Sequence, residues 1–318
     1  MYSFSMNWKR FIPILLFVFV LAGGAYLIYI NSQKKVAPLP KVEEEEKGEE
    51  KKEDVPRLSV VAENLEIPWA LAFLPDGRII FTERPGRVKI IEKNGNVNTI
   101  ANIAQVNHVG EGGLLGAAVH PDFDKNNFVY LYYTYSSTGE NTLNRVARYR
   151  FSDEKLVDEK VIIDAIPGAA NHNGGRLKFG PDKFLYITTG DAQNPSLAQN
   201  RDSLAGKILR VDEDGKAASG NPFGNRTYSY GHRNPQGLAW DEKGQIWETE
   251  HGPLARDELN LIKIGGNYGW PNVTGNQKAQ GFESPILNSG IATWAPSGAA
   301  YLNGSVFFAG LRGNALFE

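Results

Sequence analysis

The sequence predicts an all-β protein of the β-propeller class, and three observations carry that expectation. After Pro56, short runs of apolar and β-branched residues alternate with Gly, Pro, Asp and Asn turns. Few stretches read as long amphipathic helices. A unit of strand, hairpin, second strand and outer strand recurs with starts near residues 70, 116, 176, 237 and 297. Spacings of roughly 45 to 60 residues fall in the range of propeller blades with insertions. One such unit cannot bury both faces of its sheet. Radial packing of several sheets does so and leaves only short edges. A β-sandwich would leave the repetition unexplained.

The chain has 318 residues, 42% hydrophobic and 22% charged, which is ordinary globular composition with length for a large core. Its formal net charge of −2 gives no broad basic field for nucleic acid. The absence of cysteine excludes disulfides, thiolate catalysis and zinc–thiolate sites. No glycine-rich strand-to-helix fingerprint for NAD is present.

Residues 1–10 form a basic flank that ends in Lys9 and Arg10. Residues 11–30 are an uncharged apolar run, long enough as a helix to cross a hydrocarbon core of about 30 Å. A cleaved signal peptide is the alternative. The run exceeds the usual signal core and no convincing small-x-small site follows, so an uncleaved transmembrane anchor is the preferred reading. The charge bias is nearly balanced, since Lys34 and Lys35 follow the run, and a long domain translocates despite a small bias. The expectation is a membrane-anchored protein with its domain periplasmic or extracellular. Residues 31–56, with Glu43–Glu46 and a Lys/Glu cluster behind them, have almost nothing to bury and read as a solvated tether. The propeller domain is expected over residues 57–318.

The first unit runs from Ala70 through Arg78–Glu83 to Ile91. The second starts at Gly116 and continues through Phe128–Tyr135 and Arg145–Phe151. The third starts at Arg176 and includes Phe184–Gly190 and Gly206–Val211. The fourth starts at Gly237 and includes Ile246–Glu250 and Glu258–Ile264. The fifth starts at Ser297, with Val306–Ala309 and a further start at Gly313–Phe317. The sequence stops inside that strand-like run. Ring closure in propellers usually pairs an N-terminal strand with the last blade, and Leu58–Leu65 is the expected closing strand. The expectation is therefore a chain that lacks its final blade.

Polar chemistry concentrates between Tyr228 and Pro271. Gly237–Trp240 and Gln245–Thr249 flank Asp241-Glu242-Lys243-Gly244, a hairpin with glycine where a positive φ is needed. One end of the hairpin carries His232-Arg233-Asn234-Pro235-Gln236. The other carries His251-Gly252-Pro253 and then Asp257-Glu258. Clusters of this kind at strand ends mark a site on a rigid scaffold.

Several motifs recur in order over some 260 residues: Ile67-Pro68-Trp69-Ala70, Gly112-Gly113-Leu114-Leu115-Gly116, Asn171-His172-Asn173-Gly174-Gly175-Arg176-Leu177, Gly231-His232-Arg233-Asn234-Pro235-Gln236-Gly237, Glu250-His251-Gly252-Pro253, Asp257-Glu258 and Gly265-Gly266-Asn267-Tyr268-Gly269-Trp270-Pro271. With them the chain resembles the soluble quinoprotein glucose/sorbosone dehydrogenase family, nearest to its aldose sugar dehydrogenase branch. The resemblance implies a six-bladed propeller that binds pyrroloquinoline quinone (PQQ) and Ca²⁺, oxidises aldoses to lactones, and passes electrons to a quinone or other acceptor.

The resemblance also implies roles. His172 matches the base that takes the anomeric hydroxyl proton, a task suited to imidazole. Asp191 matches the carboxylate that orients this histidine. Arg233 and Asn234 match PQQ contacts, and an arginine fork stabilises charge on a reduced quinone. Arg312 stands where the family usually has a lysine serving a PQQ carboxylate. Gly252 and Pro253 match main-chain carbonyl ligands of the catalytic Ca²⁺, which prefers oxygen and polarises the quinone carbonyl. Glu258 and Tyr268 match a second, structural Ca²⁺ site. Glu111 replaces a glutamine that touches the sugar, and a carboxylate only accepts unless protonated. Asn171 replaces the aspartate that precedes the base in glucose-oxidising members. Further PQQ-clamping residues of the family fall beyond residue 318. Two other functions compete: a non-catalytic propeller that binds a carbohydrate or protein partner, and a Ca²⁺-dependent hydrolase of the lactonase type. The fold alone does not choose among them. His172, Asp191, Arg233 and Gly252-Pro253 together favour the enzyme.

Overall fold

Three strands lie where the first repeat predicted them, β1 (Pro68–Phe73), β2 (Ile79–Glu83) and β3 (Arg87–Ile91), and β4 (Val97–Asn102), which lies beyond the predicted unit, completes an antiparallel meander. The computed structural model describes residues 59–136 and 142–318. Four more meanders follow. The second is β5 (Leu114–Val119), β6 (Phe128–Ser136), β7 (Thr142–Ser152) and β8 (Lys155–Pro167). The third is β9 (Leu177–Phe179), β10 (Leu185–Thr189), β11 (Lys207–Val211) and β12 (Thr227–Tyr230). The fourth is β13 (Pro235–Trp240), β14 (Ile246–Glu250), β15 (Glu258–Ile262) and β16 (Leu287–Asn288). The fifth is β17 (Pro296–Leu302), β18 (Ser305–Gly310) and β19 (Ala315–Phe317). Every sheet keeps its strands in chain order, so each repeat closes its own ladder with local turns. The chain is an all-β propeller.

The hairpin turns show why these repeats place a glycine after the aspartate, directly in the first unit and three residues on in the fourth. Gly77 and Gly244 take φ of +89° and +74°, a region that glycine enters without a side-chain clash. The third unit lacks that glycine, and Lys183 adopts φ of +64° in its place. The β13–β14 hairpin pairs Trp240 with Ile246 and Gly237 with Thr249, as the sequence pattern indicated.

Successive sheets pack face to face. Ile80, Val88 and Ile90 of the first sheet meet Leu114, Leu131 and Tyr133 of the second. Tyr130, Tyr132 and Val146 of the second meet Leu185, Ile187 and Leu209 of the third. Tyr186 and Ile208 of the third meet Leu238, Ile246 and Ile262 of the fourth. A threonine near the end of the second strand adds a polar clamp. Thr82 Oγ1 donates to the Leu115 carbonyl at 2.6 Å, and Thr249 Oγ1 donates to the Ser297 carbonyl at 2.8 Å. Near the inner strands, the Arg176 guanidinium lies 4.1 Å from the Trp69 ring centroid, and its Nε donates to the Gln236 carbonyl at 2.9 Å. One arginine thereby links three sheets.

Three expectations need correction or delimitation. Five sheets are found among the described residues rather than the six implied by the resemblance. The sequence supplies five repeats, and each builds one sheet. Residues 59–65 form no strand, so the expected closing strand is not formed there; Val60 and Val61 are exposed. The apolar run 11–30 and the tether 31–56 lie outside the described residues. Among those residues no helix is long and apolar enough to cross a membrane.

Ile187 sits in the middle of β10 with no exposed surface. Truncation to alanine removes three methyl(ene) groups between two sheets. Ile187→Ala is expected to lower unfolding stability by about 2–5 kcal/mol, read as a lower denaturant midpoint with unchanged m.

Candidate active site

Loop 171–175, between β8 and β9, carries His172. The loop is anchored by Asn173, whose Nδ2 donates to the Ala169 carbonyl at 2.8 Å and whose Oδ1 accepts from Asn144 Nδ2 at 3.0 Å. Tyr132 adds a hydroxyl bond to the Asn173 carbonyl at 2.8 Å. His172 itself has φ of +63°, an uncommon conformation for a residue with a Cβ. Its backbone N–H donates to Glu111 Oε2 at 2.9 Å, and its carbonyl accepts from the Ala192 N–H at 3.1 Å. Such a held outlier points to a functional constraint.

Two glycines permit the loop to lie against the end of β10. A Cβ on Gly190 would stand 1.9 Å from the His172 carbonyl oxygen, and one on Gly174 would stand 2.7 Å from the Thr188 carbonyl oxygen. The close approach brings His172 Nδ1 to 2.8 Å from Asp191 Oδ1. Asp191 has no exposed surface. Its Oδ1 also accepts from the Gln193 N–H at 2.8 Å, and its Oδ2 accepts from Trp270 Nε1 at 2.7 Å. A carboxylate accepts, so a neutral imidazole in this pair carries its proton on Nδ1 and keeps its lone pair on Nε2. The His172 side chain is 16% exposed.

Arg233 and Asn234 enter from the turn before β13. The Arg233 carbonyl accepts from the Asp191 N–H at 2.8 Å, and its N–H donates to Glu250 Oε2 at 3.0 Å. Nη1 donates to the carbonyls of His251 and Gly252 at 3.2 and 2.9 Å. Nε is buried without a hydrogen-bond partner among the described residues. The guanidinium lies 5.4 Å from the Trp270 ring centroid. Burial lowers the Arg233 pKa, against the pull of Asp191 and Glu250. Asn234 is tied into the scaffold: Oδ1 accepts from the Gly174 N–H at 3.1 Å and from Gln236 Nε2 at 2.9 Å, and Nδ2 donates to Glu111 Oε2 at 3.2 Å. Glu111 thus uses one oxygen to join the loop of His172 to Asn234. Asn171 stands at the rim, its N–H on Gln193 Oε1 at 3.2 Å.

Gly252 and Pro253 follow β14, and the Gly252 N–H donates to Asp257 Oδ1 at 3.0 Å. Asp257 Oδ2 accepts from Thr293 Oγ1 and from the N–H groups of Trp294 and Ala295 at 2.6–2.9 Å. That carboxylate is a structural tie to the segment that enters β17. Glu258 borders a cavity of about 10 Å³ lined by Glu250, Gly252, Pro253, Tyr268 and Thr274 among others, room for one ion or water. Glu258 Oε1 accepts from the Gly275 N–H at 2.8 Å. The Tyr268 hydroxyl donates to the Leu261 carbonyl at 2.7 Å and accepts from the Lys263 N–H at 2.9 Å. Arg312 stands apart, exposed in the turn between β18 and β19.

The structure adds residues that sequence reasoning left without a role. Trp270 and Glu250 fell inside quoted motifs, but nothing in the string shows which carboxylate or amide each one meets. Lys207 carried no signal. It has no exposed surface, donates to the Leu197, Ala198 and Ala205 carbonyls at 2.5–3.0 Å, and pins the segment after Asp191. Burial lowers its pKa to about 7.

Gly190→Ala tests the close approach. The added methyl displaces the His172 carbonyl, an overpacking cost of about 1–3 kcal/mol. The expected results are a lower denaturation midpoint and loss of the His172 Nδ1–H tautomer signal in ¹⁵N NMR. An unchanged tautomer would show that the loop does not depend on glycine there.

Comparison with known proteins agrees with this arrangement. The glucose/sorbosone dehydrogenase family profile matches residues 65–317. The chain is 34% identical over 277 residues to quinoprotein glucose dehydrogenase B of Acinetobacter calcoaceticus, an alignment that covers 75% of this chain and 58% of the relative. It is 33% identical over 275 residues to aldose sugar dehydrogenase YliI of Escherichia coli, covering 79% and 74% of the two chains. Among solved structures, the PQQ-bound form of aldose sugar dehydrogenase from Streptomyces coelicolor superposes with a TM-score of 0.77 at 42% identity, over 81% of this chain and 78% of that one. With its ordered motifs, its propeller and a family match across nearly all the described residues, the chain belongs to the glucose/sorbosone dehydrogenase family.

Proposed function

We propose that this protein is a PQQ-dependent aldose dehydrogenase that oxidises the anomeric hydroxyl of a sugar to the lactone. The observation that carries the reading is His172, held by a buried carboxylate at Nδ1 with Nε2 left to accept a proton. When bound, PQQ supplies the two-electron acceptor and Ca²⁺ the positive charge that polarises it. A quinone or other acceptor would then take the electrons onward.

The residues present fit both groups. Arg233 has a buried Nε without a partner, a donor suited to a quinone or carboxylate oxygen. Asn234 keeps a second amide hydrogen beyond its bond to Glu111. The carbonyl of Gly252 already faces a positive group, the Arg233 guanidinium, so with Pro253 it suits a cation at the same edge. Glu258 and Tyr268 border the ion-sized cavity. Arg312 contributes no contact to this network in the structure.

His172 Nε2 would take the anomeric hydroxyl proton. Asp191 fixes the tautomer that makes Nε2 basic and stabilises the imidazolium that forms. Trp270 and Gln193 fill the other acceptor sites of Asp191, so the carboxylate cannot turn away. Glu111 and Asn171 lie on the rim beside the base, where they would meet sugar hydroxyls. The free oxygen of Glu111 would accept from a hydroxyl. The lactonase alternative needs an accessible ring of side-chain ligands. The His/carboxylate cluster found among the described residues, His232, Glu248 and Glu250, is fully enclosed.

The direct test is titration of the purified protein with PQQ and Ca²⁺, followed by sugar-dependent dye reduction over a panel of aldoses. Activity with NAD and none with PQQ would defeat the proposal. His172→Ala is expected to lower kcat by about 10²–10⁴-fold, the usual worth of a general base, while PQQ affinity by spectral titration persists. Arg233→Ala is expected to lower both. PQQ reduction at the wild-type rate in His172→Ala would remove the base assignment.

Metal removal gives a further test. Burial raises Glu258 to about 8, with repulsion from Glu250 adding to it; burial likewise raises Glu250 to about 8. Both acids therefore hold protons in the folded protein that the unfolded chain has already released. Stability from these groups is full below the ordinary value of 4.5 and declines as pH rises to about 8. In chelator, the melting temperature should fall across that window. Added Ca²⁺ should restore it, with a larger gain at the alkaline end. An equal gain at both ends would place the ion elsewhere.

A further inference from the structure

We propose that the fourth sheet holds a buried transition-metal dication of the Zn²⁺ class, ligated by His232 Nδ1, Glu248 and Glu250. The proposal is independent of the sugar reaction, and its ion would share Glu250 as a neighbour with the ion assigned to Glu258. His232 lies in the turn before β13. Glu248 and Glu250 are two apart on β14 and so share a face, and their partners across the ladder are Asn260 and Glu258. One donor atom from each of His232, Glu248 and Glu250 falls within 4.8 Å of the other two, and His232 Nδ1 stands 3.5 Å from Glu250 Oε2. An ion central to that triangle would lie within about 2.8 Å of all three, and a contraction of about 0.7 Å reaches zinc–ligand distances.

The unpaired atoms supply the second, independent observation. His232, Glu248 and Asn260 have no exposed surface, yet His232 Nδ1, Glu248 Oε1 and Asn260 Oδ1 have no hydrogen-bond partner among the described residues. Buried polar atoms are nearly always paired, and exceptions call for a missing water or ion. Asn260 Oδ1 can only accept, Glu248 Oε1 accepts once its carboxyl gives up the proton that burial favours, and His232 Nδ1 accepts when Nε2 carries the ring proton. Nε2 has a partner for that proton in Ser229 Oγ at 2.8 Å. The ring is fixed further by stacking on Tyr268, centroids 4.7 Å apart. Such a cluster of acceptors is filled by a cation.

Imidazole with carboxylates selects zinc or a neighbouring transition ion, whereas Ca²⁺ takes oxygen alone. Two carboxylates neutralise a dication, which satisfies the demand that buried charge be paired. Asn260 Oδ1 is available as a fourth donor. The site differs from the cavity beside Glu258: His232 and Glu248 do not line that cavity, and Glu250 borders both.

The test uses the full chain, stripped with chelator and reloaded with Zn²⁺ in excess Ca²⁺, with metal content measured by mass spectrometry after desalting. The expected result is one retained Zn²⁺ per chain, with affinity reduced at least about 10-fold in Glu248→Gln and unchanged in Glu258→Gln. Thermal melts establish that both variants are folded. Co²⁺ loading of the unaltered protein needs no variant and should give visible absorption of a four-coordinate site. No retained zinc together with no Co²⁺ band would overturn the proposal, and so would equal retention by Glu248→Gln. Loss of zinc in Glu258→Gln alone would assign the ion to the neighbouring cavity and overturn it as well.

Discussion

A carboxylate without solvent must have its oxygens filled, and Asp191 meets that demand by drawing together parts of the chain far apart in sequence. Its oxygens accept from the His172 ring, the Gln193 backbone and the Trp270 indole, while its own N–H is spent on the Arg233 carbonyl. Each donor is thereby fixed by the cost of leaving a buried charge unpaired, which is large compared with one ordinary hydrogen bond. The orientation of the imidazole, the position of the arginine and the seating of the indole are aspects of one constraint. Remove the glycines at positions 174 and 190 and the loop of His172 could not come near enough to take part.

A second layer supports the first. Glu111 reaches from the loop before β5 to both the His172 backbone and Asn234. Glu250 receives the Arg233 amide from below. His251 Nε2 donates to the Pro296 carbonyl at 2.7 Å, and Asp257 gathers three donors from the segment entering β17. Polar groups from the second, third and fourth sheets therefore meet at one edge, and the same bonds hold the fifth sheet to the fourth.

The repeats were legible because period-2 alternation and turns rich in Asp, Asn and Gly are local and strong. The β13–β14 hairpin emerged almost residue for residue. The family motifs likewise located His172, Asp191 and Arg233, which the fold brings into one network. Partners were not legible. Glu111 read as a sugar contact, and the structure spends one of its oxygens on scaffold. Glu248 and Glu250 alternate along β14 as solvent-facing acids would, yet both are buried; a string shows alternation but not which face is enclosed. Leu58–Leu65 was expected as a strand from the way propellers close, but strand formation needs a neighbour to pair with, and that is a property of the assembled sheet. The sixth blade came from resemblance alone, with no repeat in this sequence behind it.

Strand order within each sheet has a consequence for how the molecule comes into being. Every ladder pairs neighbours in the chain, and each sheet packs chiefly on the one made just before it. Contacts of that kind close short loops first, so sheets can form singly as the polypeptide leaves the ribosome. His172 and Asp191 are then in place before their tether at Trp270 has been synthesised. Until the fourth sheet and the segment behind it have docked, Asp191 lacks its indole donor and the nascent chain carries an imidazole without its final support. The bond from the indole to Asp191 therefore forms only after the second and third sheets have been made.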